Sequence, residues 1–211
     1  MPHVPPIRLT WVFPHGLRTM SNAIKFALPG NKTLELTEGD ITRQSTDAIV
    51  NAANSTLLGG GGVDGAIHYA GGPVILEACK TLRATTLPKG LAAGQAVATT
   101  AGQMAAKYVI HTVGPIYRGG TEGEPETLAS AYRESIRVAD ELELKSIAFP
   151  SISTGAYGYP IHEAAQIALE TVIESLKSTR HLQLVRFVLF GTSDFNVYRG
   201  AAPEGASSTE Y

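Results

Sequence analysis

Residues 50–72, VNAANSTLLGGGGVDGAIHYAGG, decide how the rest of the chain is read. An apolar strand end leads into Asn51 and Asn54, then four consecutive glycines at 59–62, then Asp64 and residues able to start a helix. Glycine has no Cβ, so its backbone can take left-handed conformations and approach a bound group closely. Four in a row cost too much ordering entropy for a plain connector. Where such a run meets a helix start, free N–H groups and the helix dipole form an anion site. The stretch therefore predicts a strand–loop–helix unit that holds a phosphate-containing ligand.

The chain's 211 residues suit one domain with a full core. With 44% hydrophobic and 17% charged residues the composition is that of a globular protein. No apolar run approaches the roughly 20 residues of a membrane span. A net charge of −2 supplies no broad basic field, which argues against nucleic acid and favours a small ligand. Cys79 is the single cysteine, so there is no internal disulfide and no cysteine-based zinc site, and a reducing cytoplasm is expected. Residues 1–19 have three prolines in the first six positions and read as an extension or an added edge strand. They lack the apolar run and cleavage site of a signal peptide. A single domain is expected over 20–199, with Gly200 to Tyr211 a frayed tail.

In chain order, Ala23 to Leu28 and Thr33 to Leu36 flank Pro29-Gly30-Asn31 and predict a hairpin. Asp40 either caps a short turn or faces a pocket. Strands are expected at Thr46 to Val50, Gln95 to Thr99, Tyr108 to Val113, Ser146 to Phe149 and Leu184 to Phe190. Helices are expected at Gly65 to Ala70, at Pro73 to Leu82 with Val74, Ala78 and Leu82 on its apolar face, and at Thr127 to Leu142. A last one follows Pro160, with a stripe of Ile161, Ala165, Ala168, Val172 and Leu176. Tyr117 to Pro125 reads as a surface loop. Alternating strands and helices with continuous apolar strands predict a three-layer α/β domain. Sheets of this class bind ligands beyond the carboxyl ends of their strands. Both unusual loops, Asn51 to Gly65 and Ser151 to Tyr159, leave strands at that end and should face one cleft.

The glycine loop lacks the Gly-Lys-Ser/Thr ending that grips a triphosphate and magnesium, and it lacks GxGxxG spacing. Ser151-Ile152-Ser153-Thr154-Gly155-Ala156-Tyr157-Gly158 offers hydroxyls and amides a second time, which points to a clamped diphosphate. Asn54 either makes an Asx-turn or orients a sugar hydroxyl. Asp64 either caps the next helix or contacts the ribose and polarises water. Asn51 reads as structural, His111 as a core histidine, His68 as packed or hydrogen-bonded with a ligand role the lesser alternative, and His162 as exposed. The scattered histidines give no metal spacing and no Ser-His-Asp order. Phe190 either stacks on a purine or packs in the core, while Tyr157, between glycines, has less core to join.

Together, Gly39-Asp40-Ile41-Thr42, Val50-Asn51-Ala52-Ala53-Asn54, GGGGVDGAIH at 59–68, His111-Thr112-Val113-Gly114-Pro115 and PSISTGAYGYP at 150–160 closely resemble the macrodomain family, and within it the MacroD-type ADP-ribosyl-hydrolases. The resemblance implies an α/β/α fold with a mixed, mostly parallel sheet of about six strands and ADP-ribose in a cleft across its crest. By resemblance Asp40 binds the adenine amino group with help from the Ile41 backbone, and Phe190 stacks on adenine. Gly60, Gly61, Gly62 and Val63, with Ser153, Thr154, Gly155, Ala156 and Tyr157, wrap the diphosphate and distal ribose. Asn54 and Asp64 match the catalytic pair around that ribose. The implied activity is hydrolysis of mono-ADP-ribose esters on acidic side chains, or of O-acetyl-ADP-ribose, with water assisted by Asp64 or by the substrate's phosphate. No metal or cofactor is implied, and the partners are ADP-ribose and ADP-ribosylated proteins. The alternative is a reader module without turnover. One departure is Gly191-Thr192-Ser193, where the family often carries an acidic residue.

Overall fold

The computed structural model describes residues 23–202 and 209–210. The segment 1–19 and tail residues 203–208 and 211 lie outside them. Ala23–Leu28 (β1) and Lys32–Glu38 (β2) form the expected hairpin, reversed by Gly30 and Asn31, both at positive φ. A single 3-10 turn, Ile41–Arg43, follows. Then come Ala48–Ala52 (β3), Gly62–Gly71 (α1), Pro73–Thr85 (α2), Ala96–Thr100 (β4) and Tyr108–Thr112 (β5). The chain continues through Glu124–Glu141 (α3), Ser146–Phe149 (β6), Ile161–Leu176 (α4), Leu184–Leu189 (β7), Thr192–Ala201 (α5) and Thr209–Glu210 (β8).

The strands form one mixed sheet in the order β4-β5-β3-β6-β7-β2-β1-β8. β5, β3, β6, β7 and β2 are mutually parallel, so their carboxyl ends share one edge. β4 and β1 pair antiparallel at either side. The two-residue β8 pairs with β1, so the tail expected to fray contributes Thr209 and Glu210 to the sheet and Gly200 and Ala201 to α5. Without β8 the sheet has seven strands, close to the six expected.

Alternation along the buried strands explains the three layers. Ala48 and Val50 of β3, Ile110 of β5, and Val185, Phe187 and Leu189 of β7 join a core with α3, α4 and α5. Their alternate neighbours Ile49, Val109 and Val188 join a smaller core with Ile67 of α1 and Ile75 and Cys79 of α2. Helices therefore cover both faces, as continuous apolar strands require. The α4 stripe packs as expected, and so does α3 through Leu128, Tyr132, Ser135 and Ala139, whereas Leu142, expected on the same stripe, is the C-cap and is 37% exposed.

Three expectations need correcting. α2 buries Ile75 and Cys79 instead of Val74, Ala78 and Leu82; Val74 is 46% exposed. Both sets recur every four residues, and tertiary packing picked the other phase. α3 begins at Glu124, inside the expected loop, because the Glu124 carboxylate accepts from the amides of Arg118, Gly120 and Glu122 and folds the loop onto the helix. α5 had not been anticipated.

The larger core reaches up to the second loop. Tyr132, fully buried among Phe149 and Phe187, accepts from the Ile152 amide at 3.1 Å, and Tyr198 donates to Ser151 Oγ at 2.9 Å. Tyr132→Phe should strand the buried Ile152 N–H and cost about 1–3 kcal/mol. Urea unfolding checks this, and an unchanged midpoint would show that the bond holds nothing.

Candidate functional site

Because β3 and β6 are adjacent and parallel, the loops after them stand side by side at the carboxyl edge. α1 starts three residues earlier than expected, so Gly62, Val63 and Asp64 form its first turn and not a loop. Gly62 enters at φ +59, a conformation that glycine alone takes freely. Its N-cap is Gly61, with no side-chain cap, so Asp64 is not the capping residue. The first-turn amides have no helical partner and carry the positive end of the helix dipole.

Asp64 is 4% exposed. Asn51 Nδ2 donates to Asp64 Oδ1 at 2.5 Å and to His111 Nδ1 at 3.1 Å. His111 therefore carries its proton on Nε2 and donates to Thr99 Oγ1 at 2.8 Å, and Thr99 Oγ1 donates to the Thr100 carbonyl at 3.1 Å. This chain fixes the Asn51 amide and with it Asp64 Oδ1. Asp64 Oδ2 has no hydrogen-bond partner among the described residues. A Cβ built on Gly60 would lie 3.0 Å from Asp64 Oδ2 and 3.1 Å from Asn54 Nδ2. The absence of a Cβ at Gly60 thus lets the loop close directly on the Asp64 carboxylate and the Asn54 amide.

Asn54 makes the Asx-turn: Oδ1 accepts from the Thr56 amide at 3.0 Å and from Thr56 Oγ1 at 2.5 Å, while Nδ2 donates to the Gly59 carbonyl at 2.9 Å. One N–H of Nδ2 remains. Asn51, expected to be structural and to tie the loop to the strand end, does so through its bond to Asp64 and thereby orients that carboxylate. His68, expected to be packed or hydrogen-bonded, stands one turn after Asp64 with Nε2 3.6 Å from Oδ1. The i,i+4 spacing of Asp64 and His68 was the sequence signal for that pairing.

In the second loop Ser153 is held at φ +67, costly for a non-glycine residue, with its hydroxyl buried and unpartnered among the described residues. Tyr159 N donates to the Ser153 carbonyl and Gly158 N to that of Gly155. The amides of Thr154, Gly155, Ala156 and Tyr157 bond no other backbone group among the described residues. Tyr157 is half-buried and its carbonyl accepts from Tyr117 N at 2.9 Å. On the other side, Asp40 Oδ1 accepts from the Thr42 amide at 2.9 Å and from Thr42 Oγ1 at 2.7 Å, and Ile41 is buried beneath. Asp40 caps its turn while remaining half-exposed, so both readings of it are compatible. Phe190, just past β7, is 88% exposed, which removes the core reading. At the departure from the family pattern, Thr192 Oγ1 donates to the Glu38 carboxylate at 2.9 and 3.1 Å.

Histidines 68 and 111 and Cys79 converge, with ligand atoms within 4.8 Å of one another, a grouping no sequence spacing announced. Both His111 nitrogens are committed, so a metal there would have to break the bond to Asn51 or Thr99. Burial, then the Asp64 charge, pushes the Cys79 thiol up to about 11. Burial, then His68, pulls His111 down to about 3. The unfolded chain takes up a proton at about 6.5 that the native state refuses, so stability is complete above that pH and falls as the pH drops towards 3. Between pH 7 and 5 the loss should be about 2 kcal/mol, checked by denaturant midpoints at the two values. Equal midpoints would contradict a neutral buried His111.

The family model described as Macro domain matches residues 50–168. A macro domain-containing protein of Streptomyces coelicolor, SCO6450, is 57% identical over 165 residues, 78% of this chain and 95% of the relative. A protein of Cronobacter turicensis named O-acetyl-ADP-ribose deacetylase is 52% identical over 166 residues, 79% of this chain and 93% of its own. Among solved structures, the Oceanobacillus iheyensis macrodomain with ADP superposes with a TM-score of 0.82 at 46% identity, covering 86% of this chain and 95% of that one. The chain belongs to the macro domain family.

Proposed function

We propose that this chain is an ADP-ribose-binding ester hydrolase that removes mono-ADP-ribose from acidic side chains of proteins and deacetylates O-acetyl-ADP-ribose. The observation that carries this reading is the close packing of the glycine loop on two polar side chains: Asp64 Oδ2, unpartnered among the described residues, and Asn54 Nδ2 both lie against Gly60. In this reading the pair supplies an acceptor and a donor to the distal ribose and the attacking water. The related structure that holds ADP and the relative named for an acetyl ester of ADP-ribose support the ligand.

In this scheme the adenine stacks on Phe190 beside Asp40 and Ile41. The diphosphate lies between the amides of Gly60, Gly61, Gly62 and Val63 and those of Ser153, Thr154, Gly155, Ala156 and Tyr157. The distal ribose reaches Asn54 and Asp64. Water adds across the ester, returning a ribose hydroxyl and a free carboxylic acid. Asp64 Oδ2 takes up the water's proton, with the substrate's phosphate as the competing base. The scheme uses no cofactor. Among the described residues no helix is long and apolar enough to cross a membrane. A reducing cytoplasm is the proposed compartment, in keeping with the buried free thiol of Cys79.

A reader module without turnover draws support from Asn54, whose oxygen is wholly engaged in its own turn. The two readings separate when the protein is incubated with a target mono-ADP-ribosylated on aspartate or glutamate and, in parallel, with O-acetyl-ADP-ribose. Release of ADP-ribose from either supports the hydrolase. Tight ADP-ribose binding with no release over hours would leave the reader.

A further inference from the structure

The sheet order imposes a direction on any ligand lying along its carboxyl edge. Asp40 follows β2, Phe190 follows β7, the Ser153 loop follows β6, the glycine loop follows β3, and Gly114 to Arg118 follow β5. A ligand with its base on the exposed Phe190 ring and its last sugar at Asp64 has travelled from β7 to β3. Whatever is joined to that sugar must continue towards β5 and β4.

A cavity of about 530 Å³ opens in that position, within the roughly 300–1,000 Å³ usual for ligand sites. Its lining includes Ser55, next to Asn54, and Tyr157 of the second loop, so it is continuous with the cleft. The adjoining wall is the turn carrying Lys89 and Ala93, pinned where Leu91 N donates to the Ser55 carbonyl at 2.9 Å. The third wall is the segment from Arg118 to Glu124, held by three amides on the Glu124 carboxylate. Those amides occupy Glu124, and Glu122 stands 3.8 Å from Arg118. Lys89 is exposed and makes no ion pair among the described residues.

We infer that this cavity is the acceptor subsite, taking the polypeptide that carries the ADP-ribose, with Lys89 favouring acidic residues beside the modified one. The inference rests on the proposed ADP-ribose orientation. An acetyl group is too short to engage these walls, so small and protein substrates should respond differently to changes here.

The test compares affinities for free ADP-ribose and for a glutamate-flanked peptide bearing ADP-ribose through a non-hydrolysable link. Native protein, Lys89→Glu and Ala93→Trp are used; Ala93 is an exposed lining residue on which the indole can fill the space. The native protein should bind the peptide conjugate more tightly than ADP-ribose. Ala93→Trp should abolish that advantage and leave ADP-ribose affinity intact. Lys89→Glu should lower it about 2- to 5-fold, what an exposed ion pair supplies, and more at low salt. Equal native affinities for both ligands, or variants that weaken both alike, would overturn the acceptor subsite while the ADP-ribose site stands. Failure of the native protein to bind ADP-ribose would overturn both.

Discussion

Asp64→Ala is expected to slow cleavage of an ADP-ribosyl ester by about 10²–10³, the loss seen when a positioned polar group leaves a transition state. Three features concentrate the effect at this residue. Its Oδ1 is fixed by Asn51, which His111 and Thr99 hold in turn, so the carboxylate has no freedom to turn away. Its Oδ2 is unpartnered among the described residues and lies against Gly60 of the glycine loop. It also sits in the first turn of α1, where the dipole favours a negative charge. Affinity for ADP-ribose should change far less than the rate, because in the proposed scheme the diphosphate is held by amides. Folding should weaken by about 1–3 kcal/mol as Asn51 loses a buried acceptor, so stability is measured on the same preparation. Asp64→Asn separates charge from shape and should lose rate with less loss of stability. An unchanged rate in both variants would assign the proton transfer to the substrate's own phosphate.

Phe190→Ala is the second large effect, and it falls on binding alone. A ring 88% exposed contributes almost nothing to the core, so unfolding should shift by no more than about 0.5 kcal/mol. A base stacked on that ring is worth about 1–3 kcal/mol, which predicts a 5- to 150-fold loss of affinity. The loss should appear with ADP-ribose and ADP, which carry adenine, and not with ribose 5-phosphate. A uniform loss across all three would mean that Phe190 shapes the cleft and does not stack.

Much of this was legible in the sequence because the signals were local. Apolar runs placed the strands, glycines marked the close approach, and PSISTGAYGYP identified the second loop. What escaped was set by tertiary contact. Periodicity allowed two phases for α2, and only packing against Ile67 and Val109 selects Ile75 and Cys79. α5 buries just Phe195 and Tyr198, too short a stripe to stand out beside a tail of Ala, Ser, Gly and Glu. The Asn51–His111 bond joins residues sixty positions apart, so nothing in the spacing could disclose that a core histidine positions the acidic residue. Asp64 was recognised as a candidate, but its two oxygens acquire different roles only once β3, β5 and α1 are brought together.

The central claim is that one ADP-ribose spans the carboxyl edge between the two amide-lined loops, and amide hydrogen exchange with and without ADP-ribose tests it most directly. Exchange should slow at Gly60 to Asp64, at Thr154 to Tyr157 and around Ile41, with little change at the exposed face of α4. Unchanged exchange at both loops under saturating ADP-ribose would contradict the claim.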